Sequence, residues 1–97
     1  MSYVLRIPAQ VGMALNGYAV DLNRQEITLS FLAYPSRIER YSLIDGTLIE
    51  KVTLGNQRIS SVEFDGTHYW ALDVSENQLL HVDSQGQILN TFTIEPD

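Results

Sequence analysis

The stretch L-N-G-Y-A-V-D at residues 15–21 decides the fold, because it returns 44 positions later as I-S-S-V-E-F-D at residues 59–65. A second pair of segments, G-T-L-I-E-K-V-T-L at residues 46–54 and G-Q-I-L-N-T-F-T-I at residues 86–94, repeats at an offset of 40. A period of about 40 residues is typical of repeat proteins, in which one unit cannot bury its apolar face alone. The chain is therefore expected to contain two copies of one unit.

Each copy is predicted to contain four short strands, with a ninth strand ahead of them. Runs rich in Val, Ile, Leu, Thr, Tyr and Phe alternate with turn residues such as Asp45-Gly46 and Asp65-Gly66, and no window keeps the apolar spacing of a helix. Several strands are apolar on both faces, which predicts sheets that are covered on both sides. The predicted strands are residues 3–7, 18–21, 27–33, 38–43, 48–54, 61–64, 68–72, 79–83 and 88–94.

Composition limits the class of protein and its partners. The 97 residues form a single expected domain, and 44% of them are hydrophobic, enough for a folded core. Twelve acidic and six basic residues give a net charge of −6, which argues against nucleic acid and anionic membranes as partners. Cysteine is absent, which excludes disulfides and thiolate chemistry. No apolar run could span a bilayer and no signal-peptide pattern begins the chain, so a cytoplasmic location is the default expectation.

No motif predicts an enzyme, a cofactor or a metal site. The chain has no G-x-S-x-G motif and no glycine-rich phosphate loop. His68 and His81 are the only histidines, and they lack a metal-ligand spacing such as H-x-x-x-H. Residues 27–42 align with residues 68–83 at an offset of 41, which places Ile27 and Arg40 at the positions of the two histidines. Structural roles for both histidines are therefore favoured over metal binding.

The remaining conspicuous side chains also have simple structural interpretations. Trp70 is the only tryptophan and aligns with Leu29, which favours core packing over stacking on a sugar ring. Asp21 and Asp65 end equivalent strands, where each is expected to cap its own turn.

Three segments resemble the blades of NHL-type β-propellers. Residues 17–21 (G-Y-A-V-D) are similar to the inner strand of such a blade. Residues 64–73 are similar to an inner strand, a turn and a second strand, and residues 77–89 to a third strand, a turn and a fourth strand. The likeness covers residues 15–94, nearly the whole chain.

The resemblance implies an all-β fold of two four-stranded antiparallel blades. Blade 1 would comprise residues 15–54 and blade 2 residues 59–94, after an N-terminal strand and link at residues 1–14. A closed propeller needs four to eight blades, so completion by oligomerisation is expected, with a trimer favoured. The alternatives are a small β-sandwich or barrel, or an excised piece of a longer propeller.

The function expected from this resemblance is a non-catalytic binding module that presents repeated loop sites to a small ligand, a glycan or a protein. A structural or protein-interaction scaffold is the alternative, and a metal-dependent enzyme at the axial channel is a less favoured one. By the family pattern, the binding loops join the second and third strands and connect the two blades. The predicted ligand-binding residues are Tyr34, Ser36, Arg37, Arg58, Glu76 and Asn77.

Overall fold

A computed structural model describes residues 14–33 and 35–95, which form two four-stranded antiparallel sheets. This part of the chain contains no helix, and so no helix that could cross a membrane. The prediction of an all-β chain with four strands in each copy is confirmed, and the predicted strand at residues 3–7 lies outside the described residues. The strands are β1 (Ala14–Asp21), β2 (Glu26–Leu32), β3 (Arg37–Ser42), β4 (Leu48–Thr53), β5 (Ile59–Phe64), β6 (Tyr69–Asp73), β7 (Gln78–Val82) and β8 (Ile88–Thr93).

Each sheet is a meander in which consecutive strands are neighbours. The strand orders are β1-β2-β3-β4 and β5-β6-β7-β8. Tight turns make this order possible, and Gly46, Gly66 and Gly86 take φ angles of 76°, 104° and 81° in three of them. Residues with a side chain rarely adopt positive φ angles, whereas glycine adopts them freely. This freedom explains why glycine occupies these positions in the predicted turns.

Strand pairing identifies the equivalent residues of the two sheets. Asp21 pairs with Glu26, and the Asp65 N–H donates to the His68 carbonyl (3.0 Å). Since Asp21 and Asp65 are equivalent, Glu26 is the counterpart of His68, at an offset of 42. The offset of 41 predicted for β2 and β6 is therefore wrong by one residue. The offset of 41 applies only from Arg37 onwards, because the connection before β3 has one residue more than the equivalent connection before β7.

The two sheets stack in the same sense, like successive units of one repeat. Ile38 and Val52 of the first sheet pack into one core with residues of the second sheet that include Leu80. The counterpart of Ile38 is Leu79, whose side chain lies on the other face of its strand from Leu80. We call the face that carries Ile38, and its equivalent in the second sheet, the front face. The front face of the first sheet therefore packs on the back face of the second.

The first strands of the two sheets approach each other closely. A Cβ atom at Gly17 would lie 2.5 Å from the Ser60 carbonyl oxygen, so glycine is required there. The neighbouring Asn16 side chain donates a hydrogen bond to the Ile59 carbonyl. These contacts join β1 to β5 through backbone groups as well as through apolar packing.

A buried polar group, which we call the Arg40 cluster, lies between the sheets. Arg40 Nη1 is 2.6 Å from Glu26 Oε1, and Arg40 Nε donates to Tyr69 Oη at 3.0 Å. The Tyr69 hydroxyl donates to Glu50 Oε1 at 2.6 Å, and the Arg40 guanidinium lies 3.9 Å from the centre of the Phe64 ring. Burial, followed by the bond to Glu50, raises the pKa of Tyr69, which keeps its hydroxyl a donor.

Strand burial differs between the sheets. Residues Thr28 to Phe31 of β2 are buried on both faces, as predicted. In β6, Trp70 and Leu72 lie on the front face and are only half-buried. The expectation that Trp70 lies in a core is therefore wrong for the single chain, because Trp70 is only half-buried on the front face of the second sheet.

Candidate functional site

Three ligand-binding residues were predicted around the loop between β2 and β3, and the two that the structure describes are buried. Tyr34 lies outside the described residues. Ser36 is 0% exposed and Arg37 is 6% exposed, so neither residue is accessible to a ligand in the single chain. The loop folds back onto the link between the sheets, where Ser36 donates from both its N–H (2.9 Å) and its hydroxyl (3.1 Å) to the Gly55 carbonyl. Arg37 belongs to β3, with Nε 3.9 Å from Glu39 Oε2.

The other three predicted residues are exposed and lie at the same end of the second sheet. Arg58 donates its N–H to Asp73 Oδ1 (3.1 Å), and its carbonyl accepts the Val74 N–H (2.9 Å). Glu76 and Asn77 form the turn between β6 and β7, in which Asn77 has a φ angle of 52°. Arg58 lines a cavity of about 400 Å³ and Glu76 an adjoining one of about 280 Å³. The two cavities share Asn56, Gln57 and Ser75.

The front face of the second sheet is open, in contrast to the equivalent face of the first sheet. Phe92 is 48% exposed there, whereas its counterpart Val52 is 1% exposed. Leu79 is half-buried, whereas its counterpart Ile38 is fully buried. The same face is thus a packed interface in one sheet and open in the other. Strand register assigns to it Ser61, Glu63, Trp70, Leu72, Leu79, His81, Asn90 and Phe92.

A group that we call the histidine cluster occupies the centre of this face. His68 Nδ1 lies 3.1 Å from His81 Nε2. The Trp70 indole stacks on the His81 ring, with centroids 4.1 Å apart and planes at 13°. The Asn90 side-chain nitrogen lies 3.4 Å from His81 Nδ1.

The histidine cluster stands where the first sheet has the Arg40 cluster. The counterparts of Glu26, Arg40 and Glu50 are His68, His81 and Asn90, as the strand registers require. A guanidinium between two carboxylates in one sheet is thus replaced by two imidazoles and an amide in the other. This substitution leaves no fixed positive charge at the position.

Asp65 holds one side of the histidine cluster in place. Its Oδ1 accepts the N–H groups of Thr67 (2.9 Å) and His68 (2.8 Å), and its Oδ2 accepts the Trp70 indole N–H (2.8 Å). These bonds, the His68 N–H first, lower the pKa of Asp65 to about 2. The prediction that Asp65 caps its own turn is confirmed, and Asp21 accepts the Arg24 N–H in the same way (3.0 Å).

Sequence reasoning missed the contact between the histidines. His68 immediately precedes β6 and His81 lies in β7, so the two residues are 13 positions apart in the chain. The alternation of side chains along a strand could have predicted the contact. His68 lies two residues before Trp70 and so shares its face, and Trp70 pairs with His81 on the neighbouring strand. Residues 14–33 and 35–95 contain no group of three or more His, Asp or Glu side chains placed to hold a metal ion.

Comparison with known proteins supports the fold and does not assign a family. No family model matches the chain, and no curated protein matches it. A solved structure with a similar fold is that of a protein of unknown function from Bacteroides caccae, determined at 1.35 Å resolution. It superposes with a TM-score of 0.78 at 14% sequence identity, over 92% of this chain and 34% of that protein. The chain thus spans about a third of the length of that protein.

Proposed function

We propose that this chain is a non-catalytic binding module of the β-propeller type, in which the front face of the second sheet binds the first sheet of another copy. Three copies would then form a ring of six blades. The observation that carries the proposal is the same-sense stacking of the two sheets. Such stacking leaves the front face of the second sheet open and the β1 side of the first sheet's back face exposed, and a heterologous contact between these two surfaces can close into a ring.

Both halves of the repeated interface have apolar surface available. On the second sheet it is the front face around Phe92 and Trp70. On the first sheet it is the back face of β1, where three large apolar side chains are 47–68% exposed. Their counterparts in β5 pack against the first sheet inside the chain. The exposed side chains are Leu15, Tyr18 and Val20, and their packed counterparts are Ile59, Val62 and Phe64.

The occupant that fits these two surfaces is therefore a second copy of this chain. Leu29, Phe31 and Tyr41, on the same back face, are already buried, so the contact would rest on the β1 side of that face. The Bacteroides caccae protein is consistent with six blades, because a match to 34% of its length leaves room for about three such units. A match to 34% of that protein is equally compatible with the alternative, in which this chain is a two-blade piece of one longer propeller.

The ligand of such a module would bind where the exposed loops meet. Arg58 offers a planar fork of hydrogen-bond donors beside the cavity of about 400 Å³, and Glu76 lines the next cavity. A ring of three copies would present these loops three times, which raises avidity for a glycan or protein without any new contact. A protein-interaction scaffold is the second candidate and rests on the same open faces. NHL-type blades and a cytoplasmic location remain predictions from the sequence.

The first test is the mass of the protein in solution by light scattering after size exclusion. One chain has a mass of 11.0 kDa, so a trimer would have a mass of about 33 kDa. A mass near 33 kDa that falls on dilution is the expected result. A stable monomer at all concentrations would contradict self-association and favour the scaffold, whose open faces would then be filled by another protein.

A further inference from the structure

We propose that His68 and His81 bind a divalent transition-metal ion through two imidazole nitrogens on the front face of the second sheet. All the atoms of this site belong to one sheet, so the proposal does not depend on the ring of copies. It also goes beyond the sequence reasoning, in which the two histidines have structural roles.

The separation of the two nitrogens matches that of two ligands on one ion. His68 Nδ1 and His81 Nε2 are 3.1 Å apart. With metal–nitrogen bonds of about 2.0–2.1 Å, this separation corresponds to an N–metal–N angle of roughly 100°, close to tetrahedral or octahedral values. Two neutral imidazoles can also share a proton at this distance, so a metal ion would replace that proton. Each ring must tilt so that the two lone pairs converge on the ion instead of pointing along the line between the nitrogens.

Surrounding side chains hold the rings in this geometry. The Trp70 indole stacks on the His81 ring, and Asp65 accepts the backbone N–H of His68, which fixes the main chain that carries the second ring. The Asn90 amide lies 3.4 Å from His81 Nδ1, and turned about its own axis it would present its oxygen to an Nδ1–H. A proton held on Nδ1 leaves the Nε2 lone pair for the ion. Support of this kind, at the second nitrogen of a ligating histidine, is typical of metal sites.

The position carries no fixed positive charge that would oppose a cation, although the two carboxylates of the Arg40 cluster are replaced here by His68 and Asn90. In the first sheet, the counterpart of His81 is Arg40, whose guanidinium lies 2.6 Å from Glu26 and 3.5 Å from Glu50. A divalent ion on the histidines would restore positive charge at the equivalent place. The chain has a net charge of −6, which also attracts cations.

The donor set determines which ions would bind. Imidazole suits copper, nickel and zinc, whereas magnesium and calcium prefer oxygen ligands. In a single chain both rings are only partly buried, so water can fill the remaining coordination positions before another copy covers this face. Affinity should therefore follow the usual order for nitrogen ligands, with Cu²⁺ above Ni²⁺ and Zn²⁺.

The test is to titrate the full chain separately with CuCl₂, NiCl₂, ZnCl₂ and MgCl₂, by calorimetry and by Trp70 fluorescence. Trp70 is the only tryptophan, so quenching by bound Cu²⁺ or Ni²⁺ reports directly on the stacked His81 ring. One ion per chain is expected for the first three metals and none for Mg²⁺. Light scattering on the same samples records the mass, so a failure to form rings is not mistaken for a failure to bind metal.

Variants locate the ion. His68→Asn and His81→Asn should each weaken binding more than Asn90→Ala, for which a loss of about tenfold is expected because Asn90 only supports a ligand. Glu95→Gln, a change at an exposed carboxylate that follows β8, is the matched control and should bind as the wild type does. If a histidine variant fails to fold, the electron paramagnetic resonance spectrum of Cu²⁺ on the wild type replaces it and should show coupling to two nitrogens. Binding that survives in both histidine variants, a Cu²⁺ spectrum without nitrogen coupling, or no saturable binding would overturn the proposal.

Discussion

Replacing Phe92 by serine should weaken the association of copies while leaving each chain folded. Phe92 lies in β8 on the front face of the second sheet and is 48% exposed. Its counterpart Val52 is buried between the sheets of one chain. If the front face binds another copy as we propose, the exposed part of Phe92 becomes buried there, and serine would remove that contribution.

The size of the effect follows from the exposed area. An aromatic side chain presents about 200 Å² of surface, and 48% of it is exposed for Phe92, which leaves about 100 Å² to bury. At about 25 cal/mol per Å², burial of this area contributes about 2.4 kcal/mol, or roughly 60-fold in the dissociation constant of one contact. This value is an upper limit, because ordering of side chains at an interface opposes association. We therefore expect Phe92→Ser to weaken each contact by about 10- to 60-fold.

Sedimentation equilibrium over a range of concentrations measures this change directly. The matched control is Ile44→Ser, which alters a side chain that is 75% exposed in the turn between β3 and β4, away from the front face. Wild type and Ile44→Ser should dissociate over the same concentration range, and Phe92→Ser at higher concentrations. Equal association of Phe92→Ser and wild type would show that this face does not form the contact.

Three further variants test how the sheets are held together and how the histidine cluster is supported. Tyr69→Phe removes the hydroxyl that joins Arg40 to Glu50, and we expect a loss of roughly 1–3 kcal/mol in the free energy of unfolding, measured with urea. Gly17→Ala places a Cβ 2.5 Å from the Ser60 carbonyl oxygen, so the sheets must shift apart. We expect the free energy of unfolding to fall by roughly 1–3 kcal/mol, with a lower melting temperature. An unchanged melting temperature would contradict the close approach of β1 and β5. The carboxylate of Asp65, with its pKa lowered from 3.8 to about 2, stabilises the folded chain above pH 3.8 and loses that contribution as the pH falls towards 2. Thermal melts across this range should show a steeper acid loss for wild type than for Asp65→Asn, and equal slopes would count against the bonds described.

Local signals accounted for most of the fold. The Asp-Gly turns and the apolar strand runs predicted eight strands in two copies, because glycine's tolerance of positive φ and strand alternation depend on neighbouring residues alone. The same reasoning failed at the loop around Ser36, whose polar residues suggest a solvated surface. Ser36 is buried because the link between the sheets supplies the Gly55 carbonyl as its partner, and that partner is 19 residues away.

The sequence by itself therefore determined the repeat, the strands and the absence of thiol chemistry. Only the tertiary structure decided which residues of the two copies are equivalent, since a change of one residue in a loop moves every side chain of the next strand to the opposite face. That register sets Glu26 and His68 at equivalent positions and leaves Trp70 on an open face. The contact between His68 and His81 arises in the same way, because pairing of β6 with β7 brings together side chains that the chain alone keeps 13 residues apart.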